Sequence, residues 1–410
     1  MARAFRSLKS FNYRIWAIGA LVSNVGTWMQ RTAQDWLVLT ELTQHNASAV
    51  GTVMALQFGP QLLLLPWTGW AADHIDQRKL MMVTQAAMGV LALGLGLLTI
   101  TGVVALWQVY VFAFLFGCAS AFDAPVRQTF VAQLVGDAEL PNAVALNSTS
   151  FNAARMFGPA AAGLLIAGVG TGWAFLINGL SYVAVLCSLA GLRKSELHAH
   201  GRGAGAGAGG RGMLDGLRYV AKRPDLIAIL AMLFLIATFG LNFPIFIGTM
   251  AVSVFHTDAR GYSLLSSTMA VGSVVGALLA ASRERTRFGA LVVGAGVFGI
   301  GCVLAAVSPA YLWFAAALAL TGAAALTFTN TSNSLIQLST EPAMRGRVMA
   351  LRLGIALGTT PIGAPIVGWV ADQAGPRWAL GVAAASGFAA LAVGMRYRAV
   401  VRQRGSVQPR

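Results

Sequence analysis

The chain has 410 residues, of which 57% are hydrophobic and only 10% charged, and its mean hydropathy is +0.68. That balance leaves too little polar surface to wrap a soluble domain and excludes a water-exposed globular enzyme. The formal net charge of +15 would suit a nucleic-acid partner, but the positions of the cations point to membrane topology instead.

Twelve charge-poor runs follow one another at 13–41, 46–72, 80–101, 104–134, 141–168, 171–192, 225–254, 260–282, 288–307, 309–338, 347–374 and 377–397. Each is long enough to cross a hydrocarbon core of ~30 Å. They are continuously apolar and do not alternate with period two, so helices are expected rather than a barrel. The expected fold class is an all-α membrane protein with twelve transmembrane helices in two six-helix bundles related by a pseudo-two-fold.

Placing the N-terminus in the cytoplasm puts 25 of the 29 basic residues on inner segments, leaving Arg31, Arg155, Arg260 and Arg377. The positive-inside rule then sets both termini in the cytoplasm of a multi-pass cell-membrane protein, the inner membrane where there are two. Residues 193–224 break the apolar pattern with a Gly- and Arg-rich stretch, 201–212, followed by an amphipathic segment at 213–222. That composition reads as a flexible cytoplasmic linker ending in a short interfacial helix. The expected organisation is a six-helix bundle at 1–192, the linker at 193–224, a second bundle at 225–398 and a basic tail at 399–410.

Two stretches 205 residues apart echo one another: Ala145-Leu146-Asn147 with Gly158-Pro159 to Gly163, and Ala350-Leu351-Arg352 with Gly363 to Gly368. Duplicated membrane segments rich in small residues are the mark of a secondary transporter built from two homologous halves.

Between runs 2 and 3 stands Gly69-Trp-Ala-Ala-Asp73-His-Ile-Asp76-Gln-Arg78-Lys79. A Gly, an Asp four residues on, then a basic pair resembles the signature loop of the major facilitator superfamily. The resemblance implies that Asp73 meets the cytoplasmic end of run 11 and locks an outward-facing state, with Arg78 in the same charge cluster. Gly69 is expected to permit close helix approach. The usual Gly before the basic pair is replaced around Ile75-Asp76, and Arg283 to Arg287 in the second half keeps the cations without an acidic twin of Asp73.

Gly158, Pro159 and Gly163 resemble the Gly-Pro motif of the fifth span of drug–proton antiporters, a partial match because the family's Gly stands closer to its Pro. The segments around Gly26 to Leu39, Asp123 to Gln128, Ala143 to Asn147 and Arg345 to Val348 resemble the enterobactin-exporter and macrolide-efflux branch over nearly the full length. This resemblance implies export of small amphipathic molecules such as a drug, a macrolide or a siderophore, driven by protons. An importer or lipid translocator of the same fold is the alternative, and a non-transporting membrane sensor a more distant one.

Ionisable residues within spans cost ~2.5–3.5 kcal/mol at a helix centre and are functional candidates for that reason. Arg31 and Asp35 stand at i, i+4 in run 1, as do Asp123 and Arg127 in run 4. Asp35 reads as a protonation or cation-substrate site, or as a structural partner of Arg31. Arg155 reads as a counter-ion for Asp35, an anion contact, or a donor to backbone carbonyls. Asp123 and Arg127 read as a gating pair linked to the Asp73 loop, with Lys79 in the same cluster.

Asn24 and Trp28 in run 1, Asn242 in run 7, and Asn330 and Asn333 in run 10 are cavity candidates, because the resemblance places runs 1, 4, 7 and 10 around the cargo path. The sequence carries no Walker lysine motif, no metal-ligand spacing and no nucleophile triad. No cofactor, metal or nucleic-acid partner is therefore expected. The partners are a small-molecule substrate, protons and the lipid bilayer, and the chain is expected to act as a monomer.

Overall fold

The computed structural model describes residues 6–136, 138–198, 210–281 and 287–406. Among them are sixteen α-helices and no strand. They are α1 (Phe11–Trp36), α2 (Ala47–Leu63), α3 (Leu65–His74), α4 (Gln77–Ile100), α5 (Leu106–Leu134), α6 (Leu140–Val169), α7 (Thr171–Ala190) and α8 (Gly210–Ala221). The second half continues with α9 (Pro224–Leu235), α10 (Phe243–Thr249), α11 (Ala259–Ala281), α12 (Phe288–Val307), α13 (Tyr311–Ser339), α14 (Pro342–Gly358), α15 (Thr360–Ala374) and α16 (Pro376–Ser406).

Nine of the spans are long and apolar enough to cross a membrane among the described residues. Runs 1, 2 and 5 fall outside that group for physical reasons. Run 1 carries Arg14, Arg31 and Asp35, run 5 carries Arg155 and a polar stretch, and run 2 is interrupted. The interruption lies at Leu64, between Pro60 and Pro66, which splits the run into α2 and α3. Proline removes a backbone donor and crowds the preceding turn.

Apolar side chains point outward along most helices: Leu312 is 78% exposed and Leu338 73%. Trp107, Trp173, Trp313 and Trp378 are exposed within the first turns of α5, α7, α13 and α16. Apolar flanks with Trp near helix ends suit a protein solvated by lipid, the rings resting at headgroup level. This is an all-α, multi-spanning membrane protein.

The described residues of Met1–Gln44, Gly59–Ala206 and Thr257–Ser267 pack as one unit, and those of His45–Phe58, Gly207–His256 and Thr268–Arg410 as a second. Each unit thus borrows one helix end from the other half of the sequence. Two of the passages of the chain between units fall at Gln44–His45 and at His256–Thr257, and both histidines hold a left-handed backbone, with φ of 60° and 49°. That conformation is uncommon outside glycine, with His among the more tolerant residues.

Helices in both units approach through small residues, as expected where lipid supplies no hydrophobic drive between them. In the first unit, a Cβ on Gly179 would come within 2.6 Å of Leu93 and one on Gly96 within 2.7 Å of Leu176, so α4 and α7 interlock reciprocally. In the second, a Cβ on Gly387 would meet the Gly299 backbone at 2.8 Å, joining α12 to α16. Run 7 is not one continuous helix. π-helical turns at Ile236–Gly240 and Met250–Val254 flank α10, and the chain breaks at Leu241–Asn242.

Amphipathic α8 leads into the second unit and packs on α14. Asp215 pairs with Arg347 at 3.6 Å, while Arg223 grips Asp225 at 2.7 Å and donates to the Ser339 carbonyl at 2.9 Å. The Asp225 carboxylate raises the Arg223 guanidinium above its ordinary range.

Candidate functional site

The sequence candidates of the first unit gather in two adjoining clusters on α1. In one, Asp123 of α5 is buried and its carboxylate is fully engaged. It accepts from Arg127 Nε at 3.1 Å and pairs with Arg127 Nη2 at 3.0 Å. Thr84 Oγ1 and Gln85 Nε2 of α4 donate to its other oxygen at 2.9 and 2.7 Å. Arg127 Nη1 then donates to Asn24 Oδ1 at 3.0 Å, tying α1 into the same network. A carboxylate in low dielectric needs this degree of satisfaction, since an unpaired buried charge is costly.

The second cluster centres on Trp28. The Arg31 guanidinium lies 5.1 Å from the indole centroid, the Arg155 guanidinium 5.6 Å from it, and the Phe151 ring meets it edge-on at 5.8 Å. One indole therefore holds two cations from α1 and α6, an arrangement favoured by the ring's negative face. Arg155 is half-buried and makes no hydrogen bond or ion pair among the described residues. The expected alternatives for it, a counter-ion to Asp35 or a donor to backbone carbonyls, are not observed: its contact is the Trp28 face. Asp35, also half-buried, makes no hydrogen bond or close ion pair among the described residues, and the Arg31 charge one turn before it acts on it through space. Beside it Trp36 stacks on Tyr262 of α11 at 5.7 Å, and the backbone passes into a π-helical stretch at Leu37–Leu42. Such turns recur at functional sites.

The 205-residue echo acquires a structural meaning. A Cβ on Gly158 would come within 2.5 Å of the Trp28 Cβ, and one on Gly363 would collide with the Thr238 carbonyl oxygen. The first glycine of each copy thus seats its helix against run 1 or run 7. A Cβ on Gly163 would meet Ser263 of α11 at 2.5 Å, and one on Gly368 the Ala47 carbonyl of α2 at 2.6 Å. The second glycine of each copy seats its helix against the helix end borrowed from the other half. Pro159 is buried inside α6, which continues through it.

The loop after α3 departs from expectation. Among the described residues, nothing lies within 4 Å of a Cβ built on Gly69, so none of them approaches it closely. Gly69 itself is exposed. Asp76 serves as the N-cap of α4, accepting from the Lys79 amide at 2.9 Å, which explains the acid where the family's Gly was expected. Arg78 donates to the Ala190 carbonyl at the end of α7 at 2.9 Å, and Lys79 is exposed. Arg78 thus caps a helix rather than joining the cluster around Asp123. The Asp73 side chain and the segment 282–286, with Arg283 and Arg285, lie outside the described residues.

In the second unit Asn242 is buried at the break in run 7, its Nδ2 donating to the Thr238 carbonyl at 2.7 Å and its Oδ1 without a partner among the described residues. Asn330 is exposed and Asn333 half-buried on α13. Thr84 and Gln85 were absent from the sequence candidates. Two adjacent polar residues early in an otherwise apolar run were the only local signal.

A family model described as a transmembrane secretion effector matches residues 2–409. The chain belongs to this family of the major facilitator superfamily. Over 87% of its length it is 28% identical to the multidrug efflux pump Tap of Mycolicibacterium fortuitum, covering 88% of that protein. It is 32% identical to the staphyloferrin A transporter of Staphylococcus aureus over 40% of the chain, a match covering 42% of that relative's length. The solved D-xylose–proton symporter superposes with a TM-score of 0.72 at 12% identity, covering 93% of this chain and 96% of that one, a likeness of fold alone. As a member of the superfamily the chain is a lipid-embedded transporter, not an enzyme, and moves small molecules by alternating access.

Proposed function

We propose that this transporter exports small amphipathic molecules, of the drug, macrolide or siderophore kind, in exchange for protons. Twelve helices in two six-helix bundles would rock about a central cargo path, with both termini in the cytoplasm. The observation that carries the reading is the cluster on α1 and α6. Arg155 is an intramembrane charge whose contact is the face of Trp28, which also holds the Arg31 guanidinium, and Asp35, two turns further along α1, has no hydrogen bond or close ion pair among the described residues, only the Arg31 charge one turn before it. Charges retained inside a membrane protein are costly and are candidates for transport chemistry for that reason.

In this reading Asp35 takes up and releases the proton, while Trp28 and Phe151 offer aromatic faces to the cargo. Arg31 and Arg155 orient its polar groups. Asn24, Asn242, Asn330 and Asn333 line the path, and Asp123 with Arg127 holds the α1–α5 geometry as gating proceeds. The family's description as a secretion effector and the likeness to an efflux pump support the outward direction. A transmembrane potential of 100 mV supplies ~2.3 kcal/mol per charge, comparable to the cost of one intramembrane acid.

The test is accumulation of ethidium and of a macrolide in cells with and without the protein, before and after an uncoupler. Expression is expected to lower accumulation, and the uncoupler to abolish the difference. A fall that persists after the gradient collapses sinks proton coupling. Accumulation indifferent to expression sinks export of these compounds.

A further inference from the structure

At the C-terminal end of α15, the Asp372 carboxylate reaches α2, a helix more than three hundred residues earlier in the chain. One oxygen accepts from the Ala47 amide at 2.7 Å; the other accepts from the Ser48 amide at 2.9 Å and from the Ser48 hydroxyl. The third amide of α2, on Ala49, is satisfied locally by Asn46 at 2.8 Å. The N-terminal amides of a helix have no partners within it, and their dipoles favour an anion. Here run 11 supplies that anion to run 2.

The approach that permits this is built from glycine. A Cβ on Gly368 would meet the Ala47 carbonyl at 2.6 Å, and one on Gly51 the Ala364 carbonyl at 2.5 Å. Gly368 stands one helical turn before Asp372, on the same face. The same pentapeptide pattern, Gly-Trp-x-Ala-Asp, occurs twice in the chain: at 69–73, closing α3, and at 368–372, closing α15. Asp73 therefore does have an acidic twin, not at the 205-residue offset but at the far end of the helix its own loop is expected to meet. Runs 2 and 11 cross the membrane in opposite senses, so the two motifs lie at opposite faces. Position 167, which matches Asp372 in the first copy of the echo, is Ala167, so α6 brings no such carboxylate to α11.

We propose that Asp372 is a positioning residue of the transport cycle, a releasable latch that holds the outer ends of runs 2 and 11 together and works in alternation with Asp73. The assignment of faces rests on the orientation proposed above. The latch has the chemistry such a switch requires. Its amides and its carboxylate can each be taken over by water at the membrane surface, so release leaves no group unsatisfied. Gly368 and Gly51 let the helices close without a side chain to disengage. When the outer ends part, Asp372 gives up the α2 amides. When the inner ends close, Asp73 is offered the N-terminal amides of run 11 in the same manner.

The test is double electron–electron resonance on the full-length chain in lipid nanodiscs, without cargo, with Cys118, Cys187 and Cys302 replaced. Spin labels at Thr43 and Gln373 report the outer ends, and labels at His74 and Arg345 the inner ends. Asp372→Asn is expected to raise the population of separated outer ends by about fivefold or more, the lower range for a coupling of this kind. Asp73→Asn is expected to shift the same populations in the opposite sense, and Asp372→Glu to stay near the wild type. Should Asp372→Asn fail to fold, Ser48→Ala, which keeps the carboxylate and both amides, is expected to give a smaller shift in the same direction.

Unchanged distance distributions in Asp372→Asn, or a shift in the same direction as Asp73→Asn, overturn the latch. So does a loss of thermal stability with no change in either distance, which is the behaviour of a simple helix cap. No cargo or proton gradient enters this measurement. Failure of the export reading and failure of the latch are therefore read separately.

Discussion

Gly158 lies so close to Trp28 that a Cβ on the glycine would come within 2.5 Å of the tryptophan Cβ. The contact fixes the depth at which α6 seats against α1, and with it the height at which Arg155 meets the indole. Gly158→Ala is expected to destabilise the protein by about 1–3 kcal/mol through overpacking. It is also expected to lower transport beyond what the loss of folded protein explains. Thermal unfolding in detergent and transport normalised to folded protein measure the two effects. Gly363→Ala, which would press on the Thr238 carbonyl, is expected to behave in the same way.

The Asp123–Arg127 pair makes a sharper thermodynamic prediction. Arg127→Met leaves a buried carboxylate facing Thr84 and Gln85 alone, and is expected to cost about 3–5 kcal/mol. The double variant Asp123→Asn/Arg127→Met removes both charges and is expected to recover most of that loss. Chemical denaturation of the four proteins of this cycle gives the coupling directly. Additive losses would show that the two side chains do not act as a pair.

At Trp28 the prediction concerns cargo. Trp28→Leu keeps an apolar but smaller side chain and removes the face that holds two guanidinium groups, each contact amounting to about 0.5–2 kcal/mol. The half-saturation concentration for an aromatic cargo is expected to rise several-fold while the folded yield stays near wild type. Arg155→Gln is expected to raise it as well, whereas Arg155→Lys keeps the charge and retains part of the affinity. Initial transport rates across a concentration series distinguish these outcomes.

Asp35→Asn tests proton coupling. The amide cannot carry a proton through the cycle, so active efflux is expected to fall to the level of the uncoupled wild type and to lose its dependence on external pH. Exchange of cargo down its own gradient is expected to persist. Wild-type active transport in Asp35→Asn proteoliposomes, with an unchanged pH profile, removes Asp35 as the proton carrier.

Local signals in the sequence carried some of these features and not others. The apolar runs and the 205-residue echo were legible because span length and small-residue spacing are properties of one stretch of chain. Asp123 and Arg127 were legible as a pair because i, i+4 neighbours share a helix face. Their further partners, Asn24, Thr84 and Gln85, come from other helices, and no period in the sequence links them. Gly69 reads as a packing glycine by pattern, yet packing depends on whether a neighbour is there, and among the described residues none lies within 4 Å of its Cβ position. Arg155 suggests a partner of opposite sign, yet its guanidinium lies 5.6 Å from the Trp28 centroid and it makes no ion pair among the described residues; the indole comes from another helix, and no period in the sequence links them.

The crossing of the chain between its two units also bears on how the protein is made. The notch at Gly163 is filled by Ala259 and Ser263, and the one at Gly368 by Ala47 and Ser48. As synthesis proceeds from the N-terminus, the first unit therefore stays one helix end short until residues beyond 257 have entered the membrane. The start of α2, inserted early, waits for nearly the whole chain before Asp372 arrives. Assembly of either unit is thus a late, long-range event, and a chain interrupted before α11 would leave the α6 notch open to lipid or to a neighbouring helix.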